Sequence, residues 1–143
     1  MSASLPLGDV DVRFGRRQSA LVLGSPFETL VGHVLDMVGF VRDYVELRIN
    51  YSVVRLLTDP NGSIEGDRWT LTPDSGGDIL RRYIGLNVMA TEFDETTHLR
   101  LVFEGGATIE APLGDEHRTG PEALHFMPAD ERGRVHSASM YIW

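Results

Sequence analysis

The sequence contains no cysteine and no lysine. Without cysteine there are no disulfides, no thiolate zinc sites and no cysteine nucleophile, and the composition fits a reducing compartment. Without lysine, Schiff-base chemistry and the phosphate-binding lysine of a Walker-type loop are excluded. All 13 basic residues are arginine. They face 21 acidic ones, for a net charge of −8. Only Arg16–Arg17 and Arg81–Arg82 adjoin. Duplex binding needs clustered cations against the phosphates, so nucleic acid is not an expected partner. A protein partner with a basic surface suits the charge better.

Long apolar runs are missing as well. The longest, Leu30 to Val41, is interrupted by His33 and Asp36. It falls well short of the ~20 residues a membrane helix needs. The first ten residues have neither the basic nor the apolar segment of a signal peptide. A soluble cytoplasmic protein is the expectation, with no membrane partner. The 143 residues suit a single domain spanning 1–143. A chain of that size buries about 68–70% of its unfolded surface and so holds a core unaided. Apolar residues at 42% and charged residues at 24% are globular proportions.

Strand signals dominate what is present. Val45 to Tyr51 alternates apolar and polar residues, the period of a half-buried strand. Short strands are also expected at 11–14, 19–23, 34–41, 52–57, 69–71, 99–103 and 107–111, with Gly105–Gly106 turning the last pair. Asp59-Pro60-Asn61-Gly62 reads as a turn, and Pro73 to Gly77 as a break at mid-chain. Ser25-Pro26-Phe27-Glu28 has the pattern of a capping box on a short helix that stops at Gly32. Asp78 is placed to cap a second short helix ending at Gly85. Two turn-rich stretches, 114–120 and 128–134, flank the apolar segment around Phe126. The fold class is mainly β, an α+β arrangement with short helices.

The same signals recur. At a shift of 53, Phe27, Leu30, Val31 and Gly32 fall on Leu80, Tyr83, Ile84 and Gly85, and Ser25 falls on Asp78. At 54, Val45, Leu47 and Ile49 fall on Leu99, Leu101 and Phe103. Two similar strand-rich halves packed as one domain are therefore expected, as an internal repeat over 25–72 and 78–126. Alternating strands align by chance as well, so the argument rests on glycine, cap and strand agreeing together. Such a protein leaves sheet edges open, and a homodimer is a common way to close them.

Asp43-Tyr44-Val45-Glu46-Leu47, Leu101-Val102-Phe103-Glu104-Gly105-Gly106, Gly120-Pro121-Glu122-Ala123 and the final Trp143 resemble a family of small bacterial proteins of unknown function. The resemblance spans about residues 25–143. It implies a β-rich fold and carries over no activity and no catalytic residue.

Chemistry-bearing residues are present but patterned weakly. The five histidines, His33, His98, His117, His125 and His136, form no metal-binding pair at helical spacing. Asp115, Glu116, His117, Glu122 and His125 have the ligand chemistry of a cation site, but they lie in a turn-rich, charged stretch, and a solvated loop accounts for them better. None of the nine serines lies in Gly-x-Ser-x-Gly, and Ser25 is explained as a cap. Glu92, Asp94 and Glu95 suit a polar turn better than acid–base work, which needs a buried partner. Gly76–Gly77 and Gly105–Gly106 lack phosphate-loop spacing. Trp69, Trp143, Tyr44, Tyr51 and Phe126 suit a core as well as a stacked ligand. No catalytic, cofactor-binding or metal-binding residue is assigned. The expected function is a non-enzymatic binding or structural role. The alternatives are an acidic immunity-type inhibitor of a basic protein, or a small-molecule binder or hydrolase with a pocket between the halves.

Overall fold

The computed structural model describes residues 25–143, so the strands expected at 11–14 and 19–23 lie outside the described residues. A 3₁₀ turn at Pro26–Leu30 leads into a meander of β1 (Leu35–Val41), β2 (Tyr44–Ile49) and β3 (Ser52–Leu56). A hairpin of β4 (Asn61–Ile64) and β5 (Asp67–Thr70) follows. The pattern then recurs. The short helix α1 (Gly77–Leu80) runs into a 3₁₀ turn at Arg81–Tyr83. A second meander comprises β6 (Val88–Asp94), β7 (His98–Phe103) and β8 (Thr108–Pro112). A second hairpin pairs β9 (Leu124–Met127) with β10 (Tyr141–Ile142).

The strands form two five-stranded antiparallel sheets, ordered β1-β2-β3-β9-β10 and β5-β4-β8-β7-β6. Each hairpin has crossed over: β4–β5 extends the meander of the second half, and β9–β10 that of the first. Neither half makes its own complete sheet. The protein is therefore mainly β, with two strand-rich halves interleaved through one core. The second hairpin closes at Ile142, because residues 128–140 separate β9 from β10.

Several local features occur twice at matching places. The register slips between Leu35 and Met37 in β1 and between Val88 and Ala90 in β6. The two entry segments pair with each other around the isolated bridge Val34–Asn87. Gly32 N donates to Val88 O and Gly85 N to Leu35 O, at 2.7 and 2.8 Å. Both glycines have positive φ, 89° and 98°, a backbone conformation costly to residues with a Cβ.

Alternation fixes which face of each strand is inside. Val45, Leu47, Ile49, Leu99, Leu101 and Phe103 are buried, together with Val54, Ile109 and Leu124. Each such side chain contributes about 1.5–3 kcal/mol. An aromatic cluster joins the sheets: Phe27 stacks on Phe126 at 4.7 Å, and Phe93 meets Trp143 edge-on at 4.9 Å. Across the core Tyr83 Oη donates to Thr108 O at 2.7 Å and accepts from Trp69 Nε1 at 2.8 Å.

Three local expectations are corrected. Asn61 and Gly62 are not a turn but the start of β4. A Cβ at Gly62 would lie 2.1 Å from Thr108 O and 2.8 Å from the Trp69 ring, so glycine is required by close approach rather than by a bend. Asp78 caps nothing: Gly76, at φ 98°, is the N-cap and makes no side-chain cap bond. Gly76 is pressed against the Thr70–Leu71 backbone, which leaves no room for a capping side chain there. The capping box forms by half. Ser25 Oγ accepts from Phe27 N at 3.2 Å, but Glu28 turns away to accept from Thr91 Oγ1 at 2.6 Å. Among the described residues no helix is long and apolar enough to cross a membrane.

Candidate functional site

The halves differ most in their loops. Residues 57–60 join β3 to β4, whereas residues 113–123 join β8 to β9. A two-residue turn joins β4 to β5, whereas residues 128–140 join β9 to β10. Loops held on a rigid scaffold are where binding residues concentrate, and the 113–123 loop walls a cleft of about 570 Å³.

The loop is fixed from within. Arg118 donates through Nε to Leu113 O at 3.1 Å and through Nη1 to Pro121 O at 2.8 Å, pinning both ends. A 3₁₀ turn at Asp115–His117 folds the middle. Opposite, Trp143 O accepts from Ala123 N at 2.6 Å and Trp143 N donates to Leu124 O at 3.0 Å, which ties the chain end to β9. Leu113 and Trp143, both buried, form the apolar floor.

The cleft is acidic. Glu95, Asp115, Glu116 and Glu122 line it, and Arg118 is its single arginine. Two arms of that guanidinium are spent on carbonyls, and its Nε lies 3.9 Å from Asp115 Oδ1. Glu116 lies 3.6 Å from His117 Nε2. The Glu122 carboxylate accepts from His125 Nε2 at 2.7 Å. His125 Nδ1 is buried without a hydrogen-bond partner. His125 therefore orients Glu122 and offers no second nitrogen to a substrate. Asp115, Glu116 and Glu122 are exposed, Glu116 at 76%, and Glu95 is half-buried.

The other sequence candidates are placed as follows. The loop set Asp115, Glu116, His117, Glu122 and His125 divides into separate contacts, Glu116 with His117, Glu122 with His125, and Asp115 with Arg118. Among the described residues no group of three or more His, Cys, Asp or Glu is arranged to hold a metal ion. Glu92 pairs with Arg100 at 2.9 Å. The Thr96 hydroxyl and amide hold the Asp94 carboxyl below its ordinary value. His98 accompanies Glu92 at 3.9 Å, and His136 is bound to Asp130 at 2.9 Å. Tyr44 lies under the Arg55 guanidinium, and Tyr51 stands exposed at the β2–β3 turn. Trp69 and Phe126 belong to the core.

A wider groove of about 680 Å³ crosses the outer face of the second sheet. Its charges cancel in place: Arg100 bridges Glu92 and Glu110 at 2.9 and 2.8 Å. Sequence reasoning singled out Asp115, Glu116 and Glu122 but missed Arg118, Leu113 and the floor role of Trp143. The signal that could have found them is the mismatch in loop length between the halves. The chain matches no protein-family model, no curated protein and no solved structure.

Proposed function

We propose that the protein is a non-enzymatic binding module whose acidic cleft receives a basic segment of a partner protein, in the manner of an immunity-type inhibitor. The observation that carries this reading is the cleft itself, an apolar floor of Leu113 and Trp143 under exposed carboxylates with one committed arginine. An arginine or lysine from a partner suits such a place. Its aliphatic stem packs on the floor while its charge meets the rim. The net charge of −8 draws the same partner from a distance and disfavours nucleic acid. The cysteine-free composition agrees with a cytoplasmic setting.

Calorimetric titration with an arginine-rich peptide and an uncharged peptide of equal length tests the reading. Binding of the first alone is expected, weakening as salt rises through the range that screens surface charge. Glu116→Arg is expected to reduce affinity at least about ten-fold, because it sets like charges face to face. Equal affinity for both peptides, or indifference to Glu116→Arg, would overturn it.

A further inference from the structure

Away from the cleft, the entry segments of the two halves build a second surface. Residues 32–35 and 85–88 run antiparallel, held by Gly32 N to Val88 O, Val88 N to His33 O, Leu35 N to Leu86 O and Gly85 N to Leu35 O, all at 2.7–3.1 Å. Leu35 and Val88 point into the core and are fully buried, while their neighbours Val34 and Met89 face outward, Met89 at the register slip between Val88 and Ala90. Val34 is 38% exposed and Met89 58%. At the two ends of this ribbon Val31 and Ile84 are 38% and 45% exposed. Four large apolar side chains thus stand in water on the paired entry segments that meet at the bridge Val34–Asn87.

The rim of this patch carries opposite charges at matching places. Val31 N donates to Glu28 O at the end of the first 3₁₀ turn, and Ile84 N donates to Arg81 O at the end of the second, both at 3.2 Å. Glu28 and Arg81 are therefore structural counterparts, and both are exposed. The nearby carboxylate of Glu104 is turned onto Asn87, accepting from its backbone N and Nδ2 at 2.7 and 2.9 Å.

We propose that this patch is where two copies of the chain meet across a two-fold axis, with Glu28 of one copy facing Arg81 of the other. A surface whose halves match in shape and are opposite in charge is complementary to its own half-turn. Val31 then lies against Ile84 and each acid against a base, twice per contact. A basic partner is drawn to carboxylate-rich surfaces, and residues 84–91 carry no charged side chain at all. The contact is independent of the cleft.

Sedimentation of the full chain over a range of concentrations, with single-cysteine cross-linking, tests the proposal. A reversible dimer is expected. Glu28→Arg, which opposes Arg81, is expected to weaken it at least about ten-fold. The swap Glu28→Arg with Arg81→Glu is expected to restore most of the loss, which no general damage to folding would do. Met89→Glu is expected to yield monomer. In this cysteine-free chain Met89→Cys is expected to form a covalent dimer under mild oxidation, and Glu131→Cys, on the 128–140 loop, is not. A monomer at every concentration overturns the proposal, as does a dimer insensitive to Met89→Glu and to the swap. A monomeric Met89→Cys protein that resists alkylation overturns it too, since another part of the same chain then covers the patch.

Discussion

Leu47 and Leu101, 54 residues apart in sequence, hold the same place in the two sheets. Each is the central inward residue of its strand, facing Val54 and Ile109 respectively, and the two are 0% and 1% exposed. Both point into one apolar cluster, so truncating either opens a cavity that the other sheet cannot close. Leu47→Ala and Leu101→Ala are each expected to destabilise the fold by about 2–5 kcal/mol. Urea denaturation measures this, and a loss below about 1 kcal/mol at either site would contradict shared burial.

Gly62 and Gly66 separate two reasons for glycine. At Gly62 a Cβ would strike Thr108 O, a backbone atom with no freedom to move aside, whereas Gly66 has open space and φ 86°. Gly66→Ala is expected to cost about 1–2 kcal/mol for the left-handed backbone alone. Gly62→Ala is expected to cost more, reaching or exceeding the ~1–3 kcal/mol of an overpacked site. A reversed order of melting temperatures would show that the close approach relaxes.

Tyr83 carries a hydroxyl wedged between Trp69 and the backbone of β8. Burial pushes its phenol above the ordinary value, which keeps the proton available for Thr108 O. Tyr83→Phe leaves the Trp69 indole N–H buried and unpaired, at an expected cost of about 1–3 kcal/mol. Chemical denaturation alongside tryptophan emission reports both the loss and its location. A variant as stable as the parent would mean that water replaces the hydroxyl.

Asp130 organises the loop between β9 and β10. His136 and the amides of Arg134 and Arg132 hold its carboxyl down from 3.8 to about 2. A carboxyl depressed on folding stabilises the folded loop above its unfolded value, and that contribution disappears as pH falls from about 4 to about 2. The side-chain carboxyl resonance of Asp130 is expected to titrate near 2 by NMR, with loop amides exchanging faster across the same interval. Asp130→Asn is expected to exchange at the faster rate at neutral pH. A midpoint near 4 would mean that the His136 contact does not persist in solution.

Much of the fold was legible because strands announce themselves locally. Val45 to Ile49 and Leu99 to Phe103 alternate as β2 and β7, and Gly32 and Gly85 mark the same reversal twice. The misreadings share one cause. Asn61–Gly62 has turn chemistry, but a glycine also permits close packing, and only the position of Trp69 distinguishes the two. Asp78 has the right side chain for a cap, but Gly76, packed on Thr70, starts the helix two residues earlier. The acidic residues of the cleft were visible one by one. Their apolar floor was not, because Trp143 reaches it only through the pairing of β10 with β9.

The sequence by itself determined the mainly β class, the inward face of the alternating strands β2 and β7, and the acidic balance. These follow from side-chain period and backbone preference, which act over a few residues. Tertiary structure alone decided that the hairpins exchange sheets, that loop 113–123 walls a cleft, and that the two entry segments pair through Val34–Asn87 and leave Val31, Val34, Ile84 and Met89 exposed. Those outcomes depend on contacts between residues far apart in sequence, from about twenty positions at the cleft to about seventy between β3 and β9. Local pattern specifies which side of a strand is buried, but the partner that buries it is chosen only when the whole chain closes on one core.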